Sequence, residues 1–244
     1  INMTGIIVSC ALGLVSLLVF LITCNKKRSV PGVFTKMVVS LFFIATAFFG
    51  INHVVSATAD MTIIKYGLMI IMGLVFGLLG DIYLDQKWVY PDDDEKYLYA
   101  GFAVFAIGHF FYVGAMIMTA GLNFTHMLIA SALAILVVIV NLIMERITNL
   151  NFHKFRLVVS LYSFVVGLTM TTALVAFVVT YMASGLTLAV PYLVFTVAGA
   201  LFLVSDIILS SQYFGTHNTP LFFVMNHVTY YLAQYLIALT IVIF

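Results

Sequence analysis

Charge is what this sequence has least of. Asp, Glu, Lys and Arg make up 8% of its 244 residues, against about 25% in an ordinary soluble domain, while 64% are hydrophobic. No single water-soluble core could hide that much apolar surface, so a soluble globular protein is excluded. A basic excess is missing too: the formal net charge is +1, which leaves no electropositive surface for nucleic acid. Cysteine occurs twice, as Cys10 and Cys24 in the first apolar run, and supplies no disulfide framework. No basic stretch precedes that run. Lys26, Lys27 and Arg28 follow it, so the segment is expected to stay in the protein as a membrane helix rather than leave as a signal peptide. No long polar stretch separates the apolar runs, and residues 1–244 read as one transmembrane domain.

What is present is a series of long apolar runs. A helix needs about 20 mostly apolar residues to cross the hydrocarbon core. Polar clusters divide the chain into eight such spans, near 4–24, 33–52, 66–86, 98–119, 126–145, 155–181, 188–209 and 220–243. The breaks carry turn chemistry or charge: Val30-Pro31-Gly32, the run from Pro91 to Lys96, Gly121-Leu122-Asn123, and Pro220. Lys26, Lys27, Arg28 and Lys36 flank the first connection, Lys87 and Lys96 the third, and Arg146, Lys154 and Arg156 the fifth. Lys65 alone is left for the opposite side. By the positive-inside rule the first face is cytoplasmic and both termini are outside or lumenal, in a eukaryotic cell across the endoplasmic reticulum membrane.

A carboxylate within hydrocarbon costs several kcal/mol and points to function. Asp81 and Asp206 are two such residues, each near the basic end of an odd-numbered span. Snorkelling to the interface or capping a helix end would explain one of them. The pair, however, sits in an internal repeat: Gly73-Leu74-Val75-Phe76-Gly77-Leu78-Leu79-Gly80-Asp81 in the third span, Ala198-Gly199-Ala200-Leu201-Phe202-Leu203-Val204-Ser205-Asp206 in the seventh. The next spans carry His109 with Tyr112 and His227 with Tyr230. The predicted class is therefore an all-α polytopic membrane protein with two four-helix halves of the same orientation, which brings both aspartates to one leaflet.

Gly73, Gly77 and Gly80 share a helical stripe with Asp81 and should permit close backbone approach. Asn226, Tyr230 and Gln234 recur every four residues, with His227 and Tyr231 beside them, and this stripe argues for a cavity. Taken singly, each has an interhelical hydrogen bond as its plainer role. Lys36, at the start of the second span, is suited to a lipid phosphate or to snorkelling. Asp85 and the acidic run Asp92 to Glu95 read as solvated surface, and His53, His126, His153 and His217 receive no role.

These pieces resemble the YhhN and TMEM86 group, the lysoplasmalogenases. The resemblance rests on Gly73 to Asp81, Phe105 to Tyr112, Gly199 to Asp206 and Thr229 to Ile237, in family order, with the Thr229-Tyr230-Tyr231 form closer to the animal branch. Two departures stand out. Met37 follows Lys36 where the family often has proline, and Gly77 stands where it often has serine. The resemblance implies hydrolysis of the vinyl ether bond of lysoplasmalogens, giving a fatty aldehyde and a glycerophospho-ethanolamine or -choline.

Such ethers hydrolyse by slow protonation of the β-carbon to an oxocarbenium ion, which water captures. One carboxylic acid and one carboxylate can divide that work, as in glycosidases, because burial and mutual repulsion keep one protonated. No metal or organic cofactor is called for. Asp81 and Asp206 are then the expected catalytic pair, with Lys36, His109, Tyr112, Asn226, His227, Tyr230, Tyr231 and Gln234 around the lipid substrate. A proton-coupled transporter or lipid-binding membrane protein is the alternative from another class, since repeated halves with buried acids also describe carriers. A zinc-dependent lipid hydrolase is a weaker one, because only His109 and His227 lie inside spans and no His-Glu-x-x-His occurs.

Overall fold

The computed structural model describes residues 2–24, 30–215 and 219–244, so Lys26, Lys27, Arg28 and His217 lie outside the described residues. Eight α-helices follow one another: α1 (Asn2–Cys24), α2 (Val30–Ala57), α3 (Met61–Val89), α4 (Asp94–Ala120), α5 (Phe124–Ile147), α6 (Arg156–Ser184), α7 (Leu186–Phe214) and α8 (Pro220–Ile243). Among the described residues there is no strand. Each predicted span corresponds to one helix, and most helices run past it, since backbone bonds within a helix persist beyond the hydrocarbon. Seven are long and apolar enough to cross a membrane. The eighth, α8, has the length but holds Asn226, His227 and Gln234 within it. The chain is an all-α, multi-pass integral membrane protein.

Local chemistry sets the helix ends. Asp60 caps α3 by accepting from the Thr62 and Ile63 amides, and Thr219 caps α8 ahead of Pro220. Asn123 and His126 form a capping box at α5, which gives His126 the structural role its sequence position did not suggest. Gly185, at φ 84°, is the whole connection between α6 and α7, a conformation side chains rarely adopt.

The packing repeats. Within each half the helices pack in order, α1 on α2 on α3 on α4 and α5 on α6 on α7 on α8. The halves join by α4 against α6 and by α8 against α2, which is one contact made twice under a shift of four helices, and α3 also touches α8. This is the arrangement of parallel repeats about an axis along the membrane normal. α3 and α7 are both 29 residues long, and Asp81 and Asp206 are each the twenty-first residue of their helix. α1 and α5 lie outermost, with Ile7, Ile22, Leu128 and Leu136 exposed as lipid-facing residues are.

The repeat is not kept everywhere. The glycine stripe of α3 admits side chains instead of bare backbone: Gly73 makes room for Tyr112, Gly77 for Gln234 and Gly80 for Phe105. Gly77 thus replaces a hydroxyl with space for an amide. Backbone approach occurs on the other helix, where Gly108 lies against the Gly73 carbonyl. His109 and His227 are also out of register. Gly80 faces Phe105, four residues before His109, whereas its counterpart Ser205 bonds Asn226, immediately before His227. The His-x-x-Tyr recurrence is therefore one of sequence and not of position.

Candidate functional site

At the basic end of the bundle, α2, α3 and α8 converge on Asp81, which is 2% exposed. Its Oδ2 accepts from Ser40 Oγ at 2.8 Å and from Tyr230 Oη at 2.9 Å, and Lys36 Nζ lies 3.3 Å from Oδ1. These three partners all donate, as suits a carboxylate. Behind Tyr230 the donors form a chain: Tyr112 Oη donates to Gln234 Oε1 at 2.9 Å, and Gln234 Nε2 donates to Tyr230 Oη at 3.1 Å. The Tyr231 hydroxyl lies 3.3 Å from both Ser40 Oγ and the Lys36 carbonyl. Tyr112, Tyr231 and Gln234 thus support the site from behind.

Lys36 differs from its expected role. It is 6% exposed and also lies 3.1 Å from Asp85 Oδ1, so it neither snorkels nor presents an unpaired cation to a lipid phosphate. Asp85 is correspondingly no solvated surface residue. One lysine thus stands between two carboxyl groups. With Met37 in place of proline, α2 keeps its backbone donor there and runs unbroken through Lys36.

Asp206 has a different environment. Its Oδ2 is buried without a hydrogen-bond partner, the Tyr162 hydroxyl is its polar neighbour, and among the described residues no ion pair reaches it. Tyr162 is the seventh residue of α6 as Lys36 is the seventh of α2, so the second half places a phenol where the first places a lysine. An unpaired buried carboxylate is costly; a carboxylic acid beside one hydroxyl is not.

Both carboxyls line one cavity of about 30 Å³ with Lys36, Asp85, Phe105, Tyr162, Ser205, Asn226, His227 and Tyr230. A site of roughly 10–15 Å³ holds one water, so this one holds a water or two and no lipid headgroup. Asn226 closes one wall, bonded to Ser205 at 2.8 Å, and His227 bonds the Phe223 carbonyl at 2.7 Å, which fixes its Nδ1 as donor. His109 does not line the cavity. Its Nδ1 lies 3.0 Å from Thr169 Oγ1 and its ring packs edge-on against Phe202. The two aspartates line the same cavity, and among the described residues no direct hydrogen bond joins them.

From Asp206 a second, apolar groove of about 310 Å³ runs between α5 and α7 over α6. Leu136, Val137, Val140, Leu203, Ile207 and Tyr213 line it, and Leu136, Val140 and Ile207 also face the lipid. Among the described residues no three His, Cys, Asp or Glu side chains stand together as a metal-ligand set.

Sequence reasoning missed Ser40, Asp85, Tyr162 and Ser205. Tyr162 falls on Lys36 only when the observed helix starts, Val30 and Arg156, are laid over one another; the sequence spans, which begin at 33 and 155, do not align the two. Ser40 is one turn beyond Lys36, but nothing in the sequence tells that turn from any other.

No curated protein and no solved structure matches the chain. Residues 31–241, from the start of α2 to the end of α8 and including every residue of the cavity, match the YhhN family, and the chain belongs to it.

Proposed function

We propose that this protein is a lysoplasmalogenase: a membrane hydrolase that cleaves the vinyl ether bond of single-chain alkenyl phospholipids to a fatty aldehyde and a glycerophospho-ethanolamine or -choline, in the endoplasmic reticulum membrane if the cell is eukaryotic. The observation that carries this reading is the pair of aspartates in unequal environments, Asp81 buried and Asp206 half-buried, around a water-sized cavity at the head of an apolar groove. The family assignment supports it.

The roles follow from the neighbours. Asp206, with one hydroxyl and no cation, is the acid; its proton goes to the β-carbon of the enol ether lying in the groove. Positive charge then develops on the α-carbon and ether oxygen. Asp81, ionised beside Lys36, and the surplus negative charge of Asp85 stabilise it across the cavity. A water held between the carboxyls adds to the α-carbon and gives its proton to Asp206, which restores the acid. The resulting hemiacetal collapses, its hydroxyl hydrogen passing to the departing glycerol oxygen. Tyr162 holds the Asp206 carboxyl in place, and Lys36 keeps Asp81 anionic. Each step is acid–base chemistry on carbon and water, and no metal or organic cofactor enters.

The test is an assay of purified protein on alkenyl and ester lysophospholipids of equal chain length, run in heavy water. Aldehyde from the alkenyl lipid alone, with one deuterium on the carbon next to the carbonyl, is the expected result. Release of fatty acid from the ester, or no turnover with lipid or proton flux instead, overturns the reading.

A further inference from the structure

If the chain lies in the groove and the ether at Asp206, the polar headgroup must go elsewhere, because the cavity between the aspartates has room for about one or two waters. A third space meets both. At the basic end of the bundle a vestibule of about 490 Å³ is bordered by Lys87, Glu95, Lys154, His153 and Tyr213. Tyr213 borders the groove, the cavity and the vestibule alike, and Phe214 borders the groove and the vestibule. Lys87 Nζ stands 3.2 Å over the Tyr213 ring, with Trp88 packed beside that ring at 6.2 Å between centroids.

The vestibule carries both signs of charge. Lys154 pairs with Glu95, Asp94 also lines the space, and Lys87 lines it from α3. The loop that brings Lys154 there is fixed by Asn151, whose amide donates to the Phe214 carbonyl at 3.0 Å, and by Glu145, which accepts from Arg156 at 2.9 Å.

We infer that this vestibule is the headgroup site: it binds a glycerol phosphodiester bearing an ammonium group, with Lys87 and Lys154 toward the phosphate and Glu95 and Asp94 toward the ammonium. The inference rests on the proposed lipid substrate and moves phosphate recognition from Lys36, which is buried between two carboxyl groups, to the exposed mouth. Tyr213 is then the residue past which the glycerol oxygen reaches the cavity and the soluble product leaves.

Trp88 is the only tryptophan of the sequence and sits beside the vestibule, so its fluorescence reports occupancy without any turnover. Titrating glycerophosphoethanolamine into the purified protein should give a saturable change in Trp88 emission, and glycerol should give none. Raising the salt should weaken the affinity. Lys87→Gln with Lys154→Gln should raise the apparent Kd by about ten-fold, whereas Lys65→Gln should leave it unchanged. A salt-independent response, or one kept in full by the double variant, overturns the inference, as does no response together with a silent calorimetric titration. Should the double variant misfold, the salt series on unaltered protein decides alone. Failure of the hydrolase reading shows separately, as saturable binding with no aldehyde from any lipid.

Discussion

In the first half of the bundle the carboxyl at the twenty-first residue of α3 meets a lysine from α2. In the second the carboxyl at the same place on α7 meets a tyrosine from α6. The clefts beside them differ in the same way. Next to Asp206 the space enclosed by α4, α5, α6 and α7 is an open apolar groove. Its counterpart, enclosed by α8, α1, α2 and α3, shrinks to about 10 Å³ because Phe20, Phe223 and His227 fill it with tilted rings, those of Phe223 and His227 4.3 Å apart. One frame used twice thus yields a closed, charged half and an open, apolar half. Two equal carboxyls would titrate alike, and the unequal clefts separate an anion from an acid without any change in the frame.

The sharpest way to break this comparison is to remove each acid in turn. Asp206→Asn and Asp81→Asn should each lower kcat by about a thousand-fold, and the double variant should be little worse than the worse single one, because the pair acts as a unit. Stability should separate them. Asp206→Asn keeps shape where no ion pair exists and should leave thermal unfolding in detergent unchanged or raised. Asp81→Asn strips a buried lysine of one partner and should cost roughly 3 kcal/mol, the lower part of the range for breaking a buried pair. Equal unfolding temperatures for the two variants would remove the asymmetry. In the unaltered protein the pH profile of kcat should be bell-shaped, with both limits belonging to the pair.

Lys36→Met tests the charged half from the other side. It should lower kcat by about a hundred-fold with KM within about two-fold, since Lys36 holds Asp81 and touches no headgroup. A large rise in KM would return Lys36 to the phosphate. In the open half, Tyr162→Phe should reduce kcat by about ten-fold and shift one limb of the pH profile, because it removes the one hydroxyl beside Asp206. A tyrosine that served packing alone would leave that profile in place. The smallest effect should come from filling the groove: Leu203→Trp should raise KM several-fold for long alkenyl chains and little for short ones, as steady-state kinetics across a chain series would show.

Much of this was legible in the sequence. Eight apolar runs bounded by charge and turn residues specified the helices, and an aspartate recurring behind small residues specified the two halves and placed both acids at one end. Those features are local, or recur at one spacing, and hydrocarbon thickness and backbone hydrogen bonding enforce them wherever the chain is put in a membrane. Rotation of each helix about its own axis was decided by the tertiary structure alone. A lipid-facing side is as apolar as a buried one, so the pattern along α2 or α6 does not say which way Lys36 or Tyr162 turns. Pairing Lys36 with Asp85 across 49 residues, filling one cleft with Phe20 and His227, and leaving its twin open depend on which side chains from distant helices fit together. Close packing sets that fit, and no run of residues carries it by itself.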